Sequence, residues 1–225
     1  LLICVAIPVA EAGSPSLPVS LMYFFRTSCP HCTKVEPFIK ELSREYPTEG
    51  WISSAQDVKG YPFPVKIGSK DIAPKYGITG VPTIVILTRG KQRMKVSGSN
   101  DIPKMRPLLR AIAAGANTVS EVYEQKLAGK VFITGWIKAI SDPEGKNLHL
   151  FLTDRTKNVR VQPWLPTTGA PAGSSDGRSH SAGRLQKDVF DSAVALRGTL
   201  TRDAKDGTLH FVVSQEVLFD QKQGK

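Results

Sequence analysis

Two of the three cysteines in this 225-residue chain could do chemistry together. They lie in Phe24-Phe25-Arg26-Thr27-Ser28-Cys29-Pro30-His31-Cys32, two residues apart, where an apolar run gives way to a helical pattern. A pair at that spacing can cycle between dithiol and disulfide. Cys29, first in the pair and at the helix start, is the expected exposed nucleophile, and Cys32 sits buried one turn behind. Helix N–H groups favour an anion, so the Cys29 thiolate is expected to be stabilised, with its pKa drawn below the free value of about 8.5. Pro30 suits the first turn, and His31 between the sulfurs can add charge or a hydrogen bond. The competing reading of a CxxC pair is half of a tetrahedral zinc site, which needs two more ligands. His149, His180 and His210 are isolated and unpatterned, so neither a metal nor an organic cofactor is expected.

A strand must deliver the pair and a helix must hold it. Val19–Phe25 is a nearly continuous apolar run between Pro18 and Arg26, suited to a strand covered on both faces. After Cys32, the residues Val35, Phe38, Ile39, Leu42 and Tyr46 form one helical stripe that contains Pro37, with Pro47 and Gly50 as its stop. Residues 51–58 read as a weaker strand and 60–64 as a rigid loop. A short helix from Lys70 to Tyr76 follows, capped by Ser69 and ended by Gly77. Pro82 heads the β-branched strand 83–87, Arg89-Gly90 turns the chain, and 91–96 returns. A last helix opens at Ser99 or Asn100, points Ile102, Met105, Leu109 and Ile112 inward, and closes at Gly115.

These residues carry a resemblance. Over about 17–115 the chain resembles the thioredoxin fold, through the CxxC pair, Pro37 five residues after Cys32, and Ala73-Pro-Lys-Tyr-Gly-Ile-Thr-Gly-Val-Pro82-Thr. The resemblance implies a cis Val81–Pro82 bond beside the cysteines, where Val81 and Pro82 would meet an extended substrate. Cys-Pro-His-Cys with Val81 before the proline, and Phe24-Phe25 upstream, is similar to the DsbA-type periplasmic thiol oxidases. Tyr23 stands where cytoplasmic thioredoxins carry a buried acid, and Ser28 where a tryptophan usually precedes the first cysteine. Both departures point away from a thioredoxin-like reductase. DsbA's long helical insertion is absent, since Cys32 and Pro82 are 50 residues apart.

The second half reads differently. Thr118-Val-Ser-Glu121 is a capping box before a short helix. Five strand-like segments follow at 130–140, 148–154, 159–163, 193–202 and 208–217, with a polar stretch 166–184 and a helix 185–192 between the third and fourth. Three strands, a helix and two strands is the order of an OB-like barrel, a resemblance of pattern without a residue motif. Single-stranded nucleic acid would need stacking aromatics and a basic groove, for which Phe151, Trp164, Arg155, Lys157 and Arg160 are the candidates. The alternative puts Phe151 inside the barrel and the charges in solvent. This half carries 15 Lys/Arg against 12 Asp/Glu, so nucleic acid is not the expected partner; residues 1–115 carry 15 against 8.

The expected architecture is thus an α/β thioredoxin-like domain over 13–115, a helical linker over 116–129, and an all-β OB-like barrel over 130–220. Residues 1–12 resemble the end of a secretory signal, too short to span a bilayer. Cleavage after Ala12 would remove Cys4 and leave an even thiol count, which suits an oxidising compartment. The expected activity is a periplasmic or secreted thiol-disulfide oxidoreductase that oxidises or isomerises cysteine-containing proteins and exchanges electrons with a redox partner protein. The alternative is a non-catalytic envelope adaptor that binds protein through the barrel.

Overall fold

A computed structural model describes residues 17–54, 60–141, 148–162 and 192–216. The signal-like segment with Cys4, the polar stretch 166–184, Trp164, His180 and all but Ser192 of the helix expected over 185–192 lie outside the described residues.

Two strands with no polar face form the centre of the first unit. β1 (Val19–Phe24) and β4 (Thr83–Thr88) are apolar and buried along nearly their whole length. Alternation divides each strand between two cores. Leu21, Tyr23, Ile84 and Ile86 face one side, and Met22, Phe24, Val85 and Leu87 the other. The five-stranded sheet runs β3-β2-β1-β4-β5, with β2 (Thr48–Ile52), β3 (Val65–Ile67) and β5 (Lys91–Ser97) flanking the pair. β1, β2 and β3 run parallel, and β4 and β5 are antiparallel. Arg89 and Gly90 make the β4–β5 turn with φ of 51° and 76°, the twin positive values a tight hairpin requires.

One face of the sheet is covered by α1 (Pro30–Leu42) and α3 (Arg106–Ala113). They contribute Val35, Ile39 and Leu42, and Leu108, Leu109 and Ile112. The other face receives Ile72, Ala73, Tyr76 and Ile78 from α2 (Ser69–Ile72) and the 3₁₀ turn Pro74–Tyr76. Several expected boundaries move. β2 begins at Thr48 and runs through Gly50, which is no helix stop: a Cβ there would lie 3.0 Å from Phe25 and 3.1 Å from Phe63 and Val65. The segment read as loop is followed by β3. The short helix is capped by Gly68, not Ser69, and breaks at Pro74 into a 3₁₀ turn. The last helix starts at Arg106, after a 3₁₀ turn Ile102–Lys104; Pro103 and Pro107 each remove a donor. Ile102, Met105, Leu109 and Ile112 are all fully buried, as the pattern required.

The second unit is a closed five-stranded barrel, consistent with the OB-like pattern. After the short β6 (Asn117–Thr118) and α4 (Val119–Glu124) come β7 (Gly129–Ser141), β8 (Leu148–Thr153), β9 (Asn158–Gln162), β10 (Ala193–Arg202) and β11 (Leu209–Glu216). β7 is long enough to pair twice, with β10 through its first half and with β8 through its second. β9 and β11 run parallel and complete the ring. The barrel core holds Ile133, Ile137, Leu152, Val159, Leu200 and Phe211, with Val119 and Val122 of α4 packed into it. Thr118 caps α4: its Oγ1 accepts the Glu121 backbone N–H at 3.3 Å and the Glu121 carboxylate accepts the Thr118 backbone N–H at 2.8 Å, as the capping box demanded.

The two units share buried surface. Trp136, from barrel strand β7, is 1% exposed and belongs to the core cluster of the first unit. Ala111 of α3 packs with Ala116 and Ala195, and Phe132 lies against them. Arg93 on β5 grips Glu121 of α4 with two guanidinium nitrogens, and both side chains are about nine-tenths buried.

Candidate active site

Cys29 stops short of the helix. Its backbone is extended (φ −95°, ψ 114°), it occupies the N-cap of α1, and Pro30 takes the first helical position, where its fixed φ fits and its missing N–H costs nothing. At that cap the Cys29 Sγ accepts the Cys32 backbone N–H at 3.3 Å. Both thiols are free, Cys29 half-buried and Cys32 buried. Burial, then the side-chain hydrogen bond with Cys29, pushes the Cys32 thiol up to about 12, against the opposing pull of the Arg26 backbone N–H. The two sulfurs are thus chemically unequal, with Cys32 held as a thiol.

His31 is exposed, and its Nδ1 shares a 3.2 Å hydrogen bond with Ser99 Oγ. Ser99 does not open the last helix as the sequence suggested; it lies in the turn that follows β5. The neighbouring Gly98 N–H donates to the Pro82 carbonyl at 2.9 Å, and the Val81–Pro82 bond is cis. One short segment, Gly98-Ser99, therefore joins His31 to Pro82, and Cys29 and Val81 both pack against the core cluster that contains Cys32. Nothing local in the sequence marked Ser99 for this position.

Behind the cysteines stands an aromatic column. Tyr23, fully buried, donates to the Cys32 carbonyl at 3.4 Å and stacks on Phe25 with centroids 4.7 Å apart. Phe25 meets Tyr61, and Tyr61 meets Phe63. Tyr61 donates to Glu36 Oε2 at 3.2 Å, and Glu36 also receives Lys40 at 2.7 Å. Burial first, then the nearby Cys32, raises the Tyr23 phenol well above its usual value; burial and the Glu36 carboxylate do the same to Tyr61. Where a buried acid would stand beneath Cys32, this chain has a phenol that stays protonated. Glu36, one turn beyond Cys32, is the carboxylate of the cluster. Among the described residues, no group of three His, Cys, Asp or Glu side chains is placed to hold a metal ion.

The first unit borders two cavities. A recess of about 310 Å³ is lined by Arg26, Thr27 and Ser28, just ahead of Cys29, and by Ser53, Ser54 and Lys70 across from them. A larger cleft of about 730 Å³ lies between β5 and the barrel, with Ser97, Asp101, Trp136, Asp154 and Arg155 in its walls.

The barrel's candidate stacking surface is divided. Phe151 does not fill the barrel: Leu150 and Leu152 do, and Phe151 lies half-exposed between Lys138 and Arg160 on the neighbouring strands. Arg155 is drawn to the first unit, 2.9 Å from Asp101 and over the Trp136 ring, and Lys157 lies over the Tyr123 ring. Arg155 and Lys157 are thus engaged within the protein. His210 lies on β11 of the barrel.

The thioredoxin sequence family matches residues 15–111. The chain is 30% identical over 105 residues to mitochondrial thioredoxin O1 of Arabidopsis thaliana, covering 46% of this chain and 48% of that protein. It is 29% identical over 93 residues to thioredoxin-1 of Saccharomyces cerevisiae, covering 41% of this chain and 77% of that one. Among solved structures, a mutant thioredoxin from Halobacterium salinarum aligns with a TM-score of 0.32 at 24% identity, over 43% of this chain and 76% of that chain. The chain therefore spans about half the length of the plant relative. Its N-terminal unit is a thioredoxin-like α/β domain that carries a CxxC pair, and a closed β-barrel follows.

Proposed function

We propose that this chain is a protein thiol-disulfide oxidoreductase in which Cys29 attacks and Cys32 resolves. The observation that carries the reading is the asymmetry of the pair. One sulfur is accessible at a helix N-cap and accepts a backbone N–H, while the other is buried and held as a thiol. In the reducing direction Cys29 thiolate attacks a substrate disulfide, forms a mixed disulfide and expels one substrate thiolate. Cys32 then loses its proton and attacks Cys29, releasing the second substrate thiol and leaving a Cys29–Cys32 disulfide. In the oxidising direction a substrate thiolate attacks Cys29 and Cys32 leaves as thiolate; a second substrate thiolate then attacks the substrate sulfur of the mixed disulfide, so the substrate departs as a disulfide and both enzyme cysteines are left reduced. Cys-Pro-His-Cys with Val81 favours this second direction, on cysteine-containing proteins in a periplasmic or secreted setting, with a separate redox protein to restore the disulfide. Stabilising the Cys29 thiolate stabilises the reduced enzyme and so makes the pair more oxidising.

Equilibration with glutathione redox buffers, read by alkylation and mass, tests the reading. A potential between those of thioredoxin and DsbA, about −270 to −120 mV, with turnover on scrambled or reduced protein substrates that Cys29→Ser abolishes, is expected. A potential below about −300 mV with no turnover would leave a structural disulfide and an adaptor role for the barrel.

A further inference from the structure

The recess beside Cys29 has a composition that the exchange reaction does not itself require. Ser28 immediately precedes the nucleophile, and its short side chain, with Ser53 and Ser54 opposite, leaves about 310 Å³ open. Arg26 and Lys70, the latter from α2, both line it, and both are exposed. Among the described residues neither cation has a carboxylate partner, whereas Arg93, Arg106, Arg155, Lys40 and Lys66 each have one. Two cations that line one polar hollow, neither with a carboxylate partner among the described residues, form a receptor for a carboxylate, and the guanidinium can hold one with two parallel bonds. The Arg26 charge also reaches Cys32, so a group seated there lies within the field of that sulfur.

We propose that this recess binds a carboxylate of the disulfide substrate and so selects anionic disulfides. The inference rests on the oxidoreductase reading and names its substrate class. The carboxylate belongs to a small acidic thiol of the glutathione type or to an acidic residue beside a substrate cysteine. With glutathione disulfide, the Cys29 thiolate attacks one sulfur, the S–S bond breaks, and one glutathione leaves as thiolate and takes a proton from water. Cys32, deprotonated, attacks Cys29 and expels the second glutathione. The enzyme loses two electrons, and glutathione disulfide becomes two thiols.

The test is stopped-flow oxidation of the reduced full chain by glutathione disulfide, by neutral hydroxyethyl disulfide and by cationic cystamine. Glutathione disulfide is expected to react at least tenfold faster than cystamine at low salt, and the ratio should shrink toward one in 0.5 M NaCl. Arg26→Gln with Lys70→Gln should cut the glutathione-to-hydroxyethyl rate ratio about tenfold, and Ser28→Trp, which fills the hollow, should do the same. Peptide disulfides with Glu or Gln beside the cysteine decide between the two sources. A Glu preference larger than the glutathione preference assigns the site to protein substrates, and the reverse to the small thiol. Equal rates for all charges, or variants that slow every disulfide alike, overturn the proposal. S-methylglutathione, which cannot react, separates the two levels. If its binding shifts the Ser28 and Lys70 amide resonances while no disulfide turns over, the recess stands and the oxidoreductase reading falls. If disulfides turn over without those shifts or any charge preference, the recess falls alone.

Discussion

The buried ion pair between the two units offers the sharpest quantitative test. Glu121 accepts Arg93 Nε through one oxygen, and through the other it accepts Arg93 Nη2 at 2.8 Å and the Thr118 N–H at 2.8 Å. The side chains are 10% and 7% exposed, so Glu121→Ala leaves a guanidinium out of water without its counter-charge. Removing one partner of a buried pair costs about 3–5 kcal/mol. Arg93 would keep Thr88 Oγ1 at 3.2 Å and the Ala116 carbonyl at 2.9 Å, which places this case at the low end. Loss of the capping box adds about 0.5–1 kcal/mol. The expected total is about 3–4 kcal/mol, read as a lower urea midpoint at unchanged m, or as a melting temperature roughly 10 °C lower. Arg93→Met with Glu121→Leu removes both charges and should recover most of the loss, since an apolar pair of similar volume can match a buried salt bridge. The coupling from that cycle should exceed about 1.5 kcal/mol. A cost below about 1 kcal/mol for Glu121→Ala, or additive single and double variants, would refute the claim that this pair locks the units together.

Four further outcomes follow from the described geometry. Iodoacetamide at pH 8 should label reduced Cys29 and spare Cys32 at least tenfold in peptide mass spectra, because only Cys29 is accessible and Cys32 is held up to about 12. The raised Cys32 value also makes the reduced fold's stability fully present below the unfolded thiol value of about 8.5 and lost as pH climbs toward 12, a loss Cys32→Ala should lack. Asp154 shows the opposite sign. Burial would raise its carboxyl, but bonds from Ser120, Thr156 and Lys157 outweigh burial and hold it below the usual range. Its contribution is full above the unfolded value of about 3.9 and lost as pH falls through the lower folded value, so Asp154→Asn should flatten the acid limb of a stability–pH curve. Gly198 lies at the register shift of β10, where an added Cβ would sit 2.2 Å from the Val212 carbonyl; Gly198→Ala should cost about 2 kcal/mol or more by chemical denaturation.

What the sequence disclosed, it disclosed where local pattern and tertiary role agree. The barrel strands were legible to within a residue or two because each alternates or runs apolar between strong turn residues. Cys29, Cys32 and Pro82 were legible because their spacing is itself the signal. β3 was not, since three residues give no period. β2 was placed late because Gly50 looks like a breaker, whereas it is small to let Phe25, Phe63 and Val65 close in. Ser99 offered only a capping residue's profile, and Glu121 only its capping box. That Arg93, 28 residues upstream, completes the same carboxylate is a long-range fact that no window contains. Phe151 was assigned the wrong face by the alternative reading because the parity of β8 is fixed by Leu150 and Leu152, which look no more apolar than it does.

Trp136 makes the unit of kinship smaller than the unit of folding. The recognisable thioredoxin match ends at residue 111, yet this indole, 25 positions later, completes the hydrophobic interior of the matched region. A buried aromatic of its size covers about 150–250 Å², or about 4–6 kcal/mol at 25 cal/mol per Å² as an upper figure. A chain cut after Gly115 would keep every strand of the first sheet and both Cys29 and Cys32, and would expose an apolar scar where Trp136 had been. Such a fragment should bind a hydrophobic dye and self-associate, while the barrel would lose the wall it rests on. The barrel thus behaves as masonry keyed into its neighbour, and moving the thioredoxin-like unit onto another protein would require a replacement for that one indole.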